Sequence, residues 1–361
     1  MNKRVRVNLG EKSYSIFIGD NNLRMIGDLI RELLPHVAKT FVISNTTVFP
    51  LYGEQVMDSL KRAGLNPGYG LLPDGEECKT LGYAEKFYDQ LIEHGIDRSS
   101  LIISLGGGVV GDLAGFVAAT FMRGVKFAQI PTTLLAQVDS SIGGKVAVNH
   151  KAGKNLIGAF HQPDFVLTDV STLETLELDE LIAGLGEVIK HGLALDREYF
   201  TYIEDNLDSI LELRPSFMIN LIEGSCILKG KVVEIDEEEM GYRKVLNFGH
   251  TVGHALEVIT DYKKYKHGEA VAIGMVYACR LGQEMGMIDN RVTRRLVRLL
   301  DKIGLPTRIP GEIKPEQILE AMKKDKKSYR NKVKMILPKD VGQVEITDNW
   351  TKKDIIKIMQ E

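Results

Sequence analysis

The chain has 361 residues, 44% of them hydrophobic and 26% charged, with a formal net charge of −3. This length favours two globular domains over one, and the near-neutral balance argues against a nucleic-acid binder. No apolar run is long enough to span a membrane, and the opening segment lacks the apolar core of a signal peptide. Cys78, Cys226 and Cys279 lie far apart with no CxxC pair, which reads as free thiols in a reducing cytoplasm.

Residues 5–9 and 14–18 alternate in polarity around Gly10 and Glu11 and predict a hairpin. Up to about residue 176, short apolar runs (40–44, 101–105, 127–130, 165–168) alternate with helix-period stretches such as 84–94 and 111–121. That alternation predicts parallel strands with crossover helices. Beyond residue 177 glycine thins out and helical patterns follow one another at 179–193, 215–234, 245–259, 268–285, 291–303 and 315–323. A late hairpin is expected from 333–337 and 343–346. The expected plan is an α/β N-terminal domain over residues 1–176 and a mainly α-helical C-terminal domain over 177–361.

The segment Gly106-Gly107-Gly108-Val109-Val110-Gly111-Asp112 follows a predicted strand and opens a predicted helix. Glycines there let backbone amides approach a phosphate, and a helix N-terminus favours its charge. GxGxxG is met at Gly106, Gly108 and Gly111, yet no acidic residue stands about twenty positions on, as the dinucleotide fingerprint has. A plain tight turn between strand and helix is the alternative. A second polar loop, Asp74-Gly75-Glu76-Glu77-Cys78-Lys79, also follows a strand, and Thr132 and Thr133 stand where they would either cap a helix or meet a ligand.

Four residues suggest a metal. His250 and His254 are one helical turn apart, His267 follows, and Glu187 lies in a distant helical stretch. Imidazoles and a carboxylate at such separations suit a divalent ion assembled by folding, with a coordination position left open for substrate. Spacing leaves the ligand set open, and packing or capping roles for these histidines are the alternative. His250 and His254 fit as a pair, Glu187 and His191 share that spacing, and Glu187 with Lys190 also reads as a helical i,i+3 ion pair. Gly249, Thr251 and Gly253 suggest backbone crowded around a bound group. Arg123, Asp139, Lys145, Lys154 and Asn155 stand among glycine or apolar neighbours, where a charge needs a partner or a function. The lysines around Lys326 read on composition as a solvated loop.

In combination these motifs resemble the 3-dehydroquinate synthase family, nearly end to end from loop 74–79 to segment 325–327. The motifs are the 106–116 glycine segment, residues 131–145 from Pro131 to Lys145, residues 153–160, Glu187-Val188-Ile189-Lys190 and Asn247-Phe248-Gly249-His250-Thr251. The resemblance implies a Rossmann-like dinucleotide-binding domain, a helical metal-binding domain, tightly held NAD, one divalent ion (zinc or cobalt) and a cytoplasmic homodimer. The implied substrate is an anionic sugar phosphate, 3-deoxy-D-arabino-heptulosonate 7-phosphate of the shikimate pathway. Oxidation, phosphate elimination, re-reduction, ring opening and an intramolecular aldol would convert it to 3-dehydroquinate. The family's metal triad falls on Glu187, His250 and His267, and His254 becomes a substrate or proton-relay residue. NAD would be held by Asp74, Gly75, Glu76, Glu77, Cys78, Lys79, Gly108, Val109, Val110, Gly111, Asp112, Thr132, Thr133, Lys145, Lys154, Thr172, Leu173, Glu174 and Thr175. Substrate would meet Asp139, Lys145, Asn155, Lys190, Lys229, Arg243, Asn247 and Lys326, with Arg123 reaching in from a dimer partner. Gly186 and His191 depart from the alanine and tyrosine that members often carry. The rival readings are a metal-dependent polyol dehydrogenase, a related cyclase of sedoheptulose 7-phosphate or glucose 6-phosphate, and a metal- and nucleotide-binding regulator.

Overall fold

The computed structural model describes residues 3–325 and 333–360. By packing, the chain divides into two compact units. One runs to Leu176 and takes back Leu213–Glu237, and the other comprises Glu177–Glu212 and the chain from Glu238 onward.

Among the described residues the first unit contains nine strands: β1 (Lys3–Val7), β2 (Tyr14–Gly19), β3 (Lys39–Asn45), β4 (Asn66–Leu72), β5 (Leu101–Gly106), β6 (Lys126–Pro131), β7 (Lys145–His150), β8 (Gly153–Phe160) and β9 (Phe165–Asp169). Among them run helices α1 (Ile26–Leu33), α2 (Glu54–Arg62), α3 (Leu81–Glu93) and α4 (Gly108–Thr120). Seven strands form one sheet in the order β1-β2-β9-β6-β5-β3-β4, parallel throughout except for the β1–β2 hairpin. Every residue of β5 is buried, as expected of a strand covered on both faces. Alternation along the strands feeds two cores. Phe41, Ile43 and Ile102 pack with Phe87, Leu91 and Leu113 of α3 and α4. Val42, Leu101 and Ile103 pack with Leu29, Val56 and Leu60 of α1 and α2. The sheet is therefore doubly wound, as the alternating runs predicted.

The chain steps outward from β3 to β4 and then returns to the other side of β3 as β5. A switch of this kind leaves a crevice at the carboxyl ends of the two strands, where open α/β sheets bind ligands. Strand β4 escaped sequence reading because it begins Asn66-Pro67-Gly68-Tyr69-Gly70. A Cβ at Gly70 would stand 2.8 Å from Cε1 of the buried Phe87 ring, so glycine helps α3 lie against this strand, and Pro67 is tolerated at a sheet edge. β7 and β8 form a separate antiparallel hairpin, also absent from the sequence expectation.

The second unit holds α5 (Leu178–Leu195), α6 (Arg197–Asp205) and α7 (Leu207–Leu211). The chain then rejoins the first unit as α8 (Pro215–Ile235), which packs on β1 and β2. This corrects the expected division, which gave 177–361 wholly to the helical domain. Helix α8 buries Met218, Leu221, Ile222 and Cys226, and Lys229 reaches Asp139, so its stabilising neighbours lie in the first unit. The second unit continues with α9 (His250–Ile259), α10 (His267–Glu284), α11 (Asn290–Ile303), α12 (Pro315–Asp325), the hairpin β10 (Met335–Asp340) and β11 (Gln343–Thr347), and α13 (Lys352–Gln360). Among the described residues no helix is long and apolar enough to cross a membrane.

Candidate functional site

Two clusters stand out, one in each unit. In the first, the turns that leave β4, β5, β6 and β9 all open on the carboxyl edge of the sheet. They carry Asp74, Gly75, Glu76, Glu77, Cys78 and Lys79, then Gly108–Asp112, then Thr132 and Thr133, and then Thr172, Leu173, Glu174 and Thr175. The sheet thus gathers four stretches that are far apart in sequence. No side chain caps the N-terminus of α4. A Cβ at Gly107 would lie 3.0 Å from Thr133 Cγ2, and one at Gly108 would lie 3.1 Å from Ser140 Oγ. Bare amides at the switch point fit a dinucleotide phosphate, since the N–H groups and helix dipole favour negative charge.

The individual side chains divide by role. Val110, Cys78 and Leu173 are buried in the core, so only their main chains face the edge. Asp74 accepts hydrogen bonds from Asn45 Nδ2 (2.9 Å) and Thr47 Oγ1 (3.3 Å), which fixes its loop to the end of β3. Lys79 is buried and donates to Asp112 Oδ2 and Asn155 Oδ1. Burial pushes the Asp112 carboxyl up, and the Lys79 charge works against that rise. Thr133 Oγ1 accepts from Ala136 N, so the capping role open from sequence is observed. Lys229 on α8 donates to the Asp139 carbonyl (2.7 Å) and to its carboxylate. Lys145 and Lys154 are exposed on the β7–β8 hairpin. Arg123 is not brought to this edge. It follows α4, which runs back along the sheet by about 20 Å at 1.5 Å per residue, and it sits with positive φ (67°) just before β6 begins.

In the second unit α5, α9 and α10 meet through glycine. A Cβ at Gly268 would stand 1.8 Å from the Ala183 carbonyl oxygen, and one at Gly253 would stand 2.9 Å from the Ala270 carbonyl oxygen. The crowding that the sequence suggested around a bound group is therefore helix against helix. It brings side chains of all three helices to one point. Glu187 Oε1 lies 3.8 Å from His250 Nε2 and 3.5 Å from His267 Nε2. Two donors about 2.0–2.1 Å from a tetrahedral zinc stand roughly 3.3 Å apart, so the spacing fits one ion. His254 joins them, since His250, His254 and His267 each present a ring nitrogen within 4.8 Å of the others.

The electrostatics also fit a cation. His250 donates Nδ1–H to the Phe248 carbonyl (3.2 Å), which leaves the Nε2 lone pair toward Glu187. Burial first, then the Lys190 charge, holds His250 well below the usual histidine range and hence neutral. For His267, burial opposes the charged form, but Glu187 and Glu257 outweigh it and raise the group to about 10. Lys190 pairs with Glu187 inside the same helix. Arg243 is buried and Asn247 donates to Glu239 Oε1 (2.8 Å), both from the 3-10 turn Tyr242–Asn247. His191 is fully buried one turn beyond Glu187. Lys326 lies outside the described residues. Sequence reading passed over Glu257 and Glu239, whose significance lies only in their contacts with His267 and Asn247.

A doubly wound sheet with a glycine-rich turn at its switch point, and a helical unit bearing a carboxylate–imidazole cluster, define an enzyme of the nucleotide- and metal-dependent class. Models of the 3-dehydroquinate synthase N-terminal and C-terminal regions match residues 70–183 and 184–328. The chain is 48% identical to the 3-dehydroquinate synthase of Desulforamulus reducens over 357 residues, 99% of each chain. It is 46% identical to that of Thermoanaerobacter pseudethanolicus, again over 99% of each. A solved 2-deoxy-scyllo-inosose synthase, complexed with carbaglucose-6-phosphate, NAD+ and Co2+, superposes with a TM-score of 0.89 at 27% identity, covering 99% of both chains. The chain belongs to the 3-dehydroquinate synthase family.

Proposed function

We propose that the chain converts 3-deoxy-D-arabino-heptulosonate 7-phosphate to 3-dehydroquinate and phosphate. One observation carries this choice over a sister cyclase of the same fold: identity of 48% to a synthase of that name, end to end, against 27% to the inosose synthase. When bound, NAD supplies a transient hydride acceptor and a divalent ion, zinc or cobalt, supplies the Lewis acidity that acidifies the hydroxyl to be oxidised. Glu187, His250 and His267 hold the ion, supported by the donor spacing. The carboxyl-edge turns of the sheet hold the dinucleotide, with Lys145 and Lys154 beside them, supported by the bare amides of the glycine segment.

The chain's cations neutralise and orient a multiply charged substrate. Lys190, Arg243, Asn247 and His254 of the helical unit are assigned to this task. So are Asp139, Lys145, Asn155 and Lys229 of the first unit, together with Lys326. His254 is assigned the relay of a proton at a ring nitrogen, a reading supported by its nearness to His250 and His267. Arg123 is assigned to the phosphate of a partner subunit's substrate in a homodimer, a role suited to its exposure and its distance along α4 from the carboxyl edge. Three free cysteines suit a cytoplasmic protein. The test is phosphate release from the heptulosonate phosphate by the full chain, with and without a chelator. Phosphate and dehydroquinate should form in equal amounts, with no net NADH and none of either product after chelation. Turnover of glucose 6-phosphate instead, or net NADH, would assign the chain to one of the rival classes.

A further inference from the structure

The two imidazoles that approach Glu187 are held from behind in different ways. His250 gives its Nδ1–H to a main-chain carbonyl two residues away. His267 stands at the first position of α10, and its Nδ1 lies 3.4 Å from Glu257 Oε1 on α9. Its two ring nitrogens therefore face two carboxylates on two different helices, Glu187 through Nε2 and Glu257 through Nδ1. Glu257 is 8% exposed, and its carboxylate is paired with His267. A carboxylate that deep needs a donor. A histidine that binds a metal through one nitrogen carries its proton on the other, and an acceptor there sets the tautomer and the ring plane.

Helical geometry explains the placement. His250, His254 and Glu257 are spaced i, i+4 and i+7 along α9, so the three share one face. Close packing of Gly253 on α10 presses that face toward His267. The side chain of Glu257 then lies behind the ring, while Glu187 lies in front of it.

We infer that Glu257 is a positioning residue for the metal centre: it holds the proton of His267 on Nδ1 and aims the Nε2 lone pair at the ion shared with Glu187 and His250. This role presupposes that His267 is a metal ligand, as proposed for the function. Glu257 does not touch the ion or the substrate. Its charge also makes the imidazole a stronger donor, so its loss weakens metal binding without removing a ligand.

The test is zinc titration of the chelator-stripped full chain against a chromophoric chelator, for wild type, Glu257→Gln, Glu257→Leu and His267→Asn. Glu257→Leu should lose roughly 10–100-fold in zinc affinity. Glu257→Gln keeps an acceptor for Nδ1–H and should lose less than Glu257→Leu, whereas His267→Asn should lose the most. The visible spectrum of the Co2+ form should change in Glu257→Leu, a readout that a merely structural role would leave alone. If Glu257→Leu does not fold, Glu257→Gln decides, because the amide is isosteric: affinity and Co2+ spectrum both unchanged would overturn the role. Zinc affinity unchanged in both Glu257 variants but lost in His267→Asn overturns the role and leaves the metal triad standing. Affinity unchanged in His267→Asn overturns the triad itself, and the role with it.

Discussion

Lys79 shows how one side chain ties distant turns together. It comes from the loop after β4, yet it bonds to Asp112 on α4 and to Asn155 on β8, and it is buried. Removing one partner of a buried pair strands the other charge, at a cost of roughly 3–5 kcal/mol. Lys79→Met should therefore lower unfolding stability in urea by about 3 kcal/mol. Adding Asp112→Asn should restore more than half of that loss, and strictly additive costs in the double variant would show that the two are not coupled. At His267 the prediction concerns pH. Its folded-state pKa is raised to about 10, so the metal-free protein carries a proton there at neutral pH. A metal needs the lone pair and must expel that proton. Zinc affinity should therefore rise with pH below about 10, by up to roughly tenfold per unit, with about one proton released per ion. His250 is already neutral and adds no proton. Calorimetry in buffers of different ionisation enthalpy measures the release, and an affinity flat with pH would contradict the charged His267. The residue types of this site were legible in the sequence. The proposed ligand set was not, because i,i+4 spacing admits His254 and His191 as readily as His250 and His267, which approach Glu187.

Among the elements, the approach of α5 to α10 is decided by two glycines. A Cβ at Gly268 would stand 1.8 Å from the Ala183 carbonyl oxygen, and one at Gly186 would stand 2.7 Å from the Gly268 carbonyl oxygen. Both obstacles are backbone and cannot rotate away. Gly268→Ala should push α5 and α10 apart and cost about 3 kcal/mol, at the upper end of ordinary overpacking. It should also weaken zinc binding, since Glu187 and His267 ride on the separated helices. Gly186→Ala faces a smaller overlap and should cost about 1 kcal/mol. Thermal melts and zinc titrations of the two variants check the order; equal effects would mean that the close approach does not position the donors. Strong periodicity made α5, α8, α10 and α11 legible within a few residues. Strand β4 was hidden by glycines kept for α3, and the β7–β8 hairpin by an exposed β8 whose apolar and polar residues do not alternate.

At the scale of the whole molecule, the two units can be followed separately. The single tryptophan, Trp350, lies in the helical unit and donates to the Val333 carbonyl (2.9 Å). Its fluorescence therefore reports on the unit that carries Glu187, His250 and His267. Zinc at a hundredfold excess over its Kd stabilises by about 2.7 kcal/mol. For a unit of this size that is a rise of roughly 5–10 °C in Tm. A tryptophan-detected melt with zinc and with chelator measures it, and an unmoved midpoint would mean that this unit does not hold the ion. Local pattern by itself determined the kind of each strong element, the parallel sheet, the helical half and the residue chemistry of both clusters, because periodicity and turn residues act over a few neighbours. Tertiary structure alone decided that α8 returns to the first unit, that Arg123 stands apart from the carboxyl edge, and which imidazoles meet Glu187. Those outcomes depend on which faces fit one another, and that fit is set by glycines and buried side chains far apart in the chain.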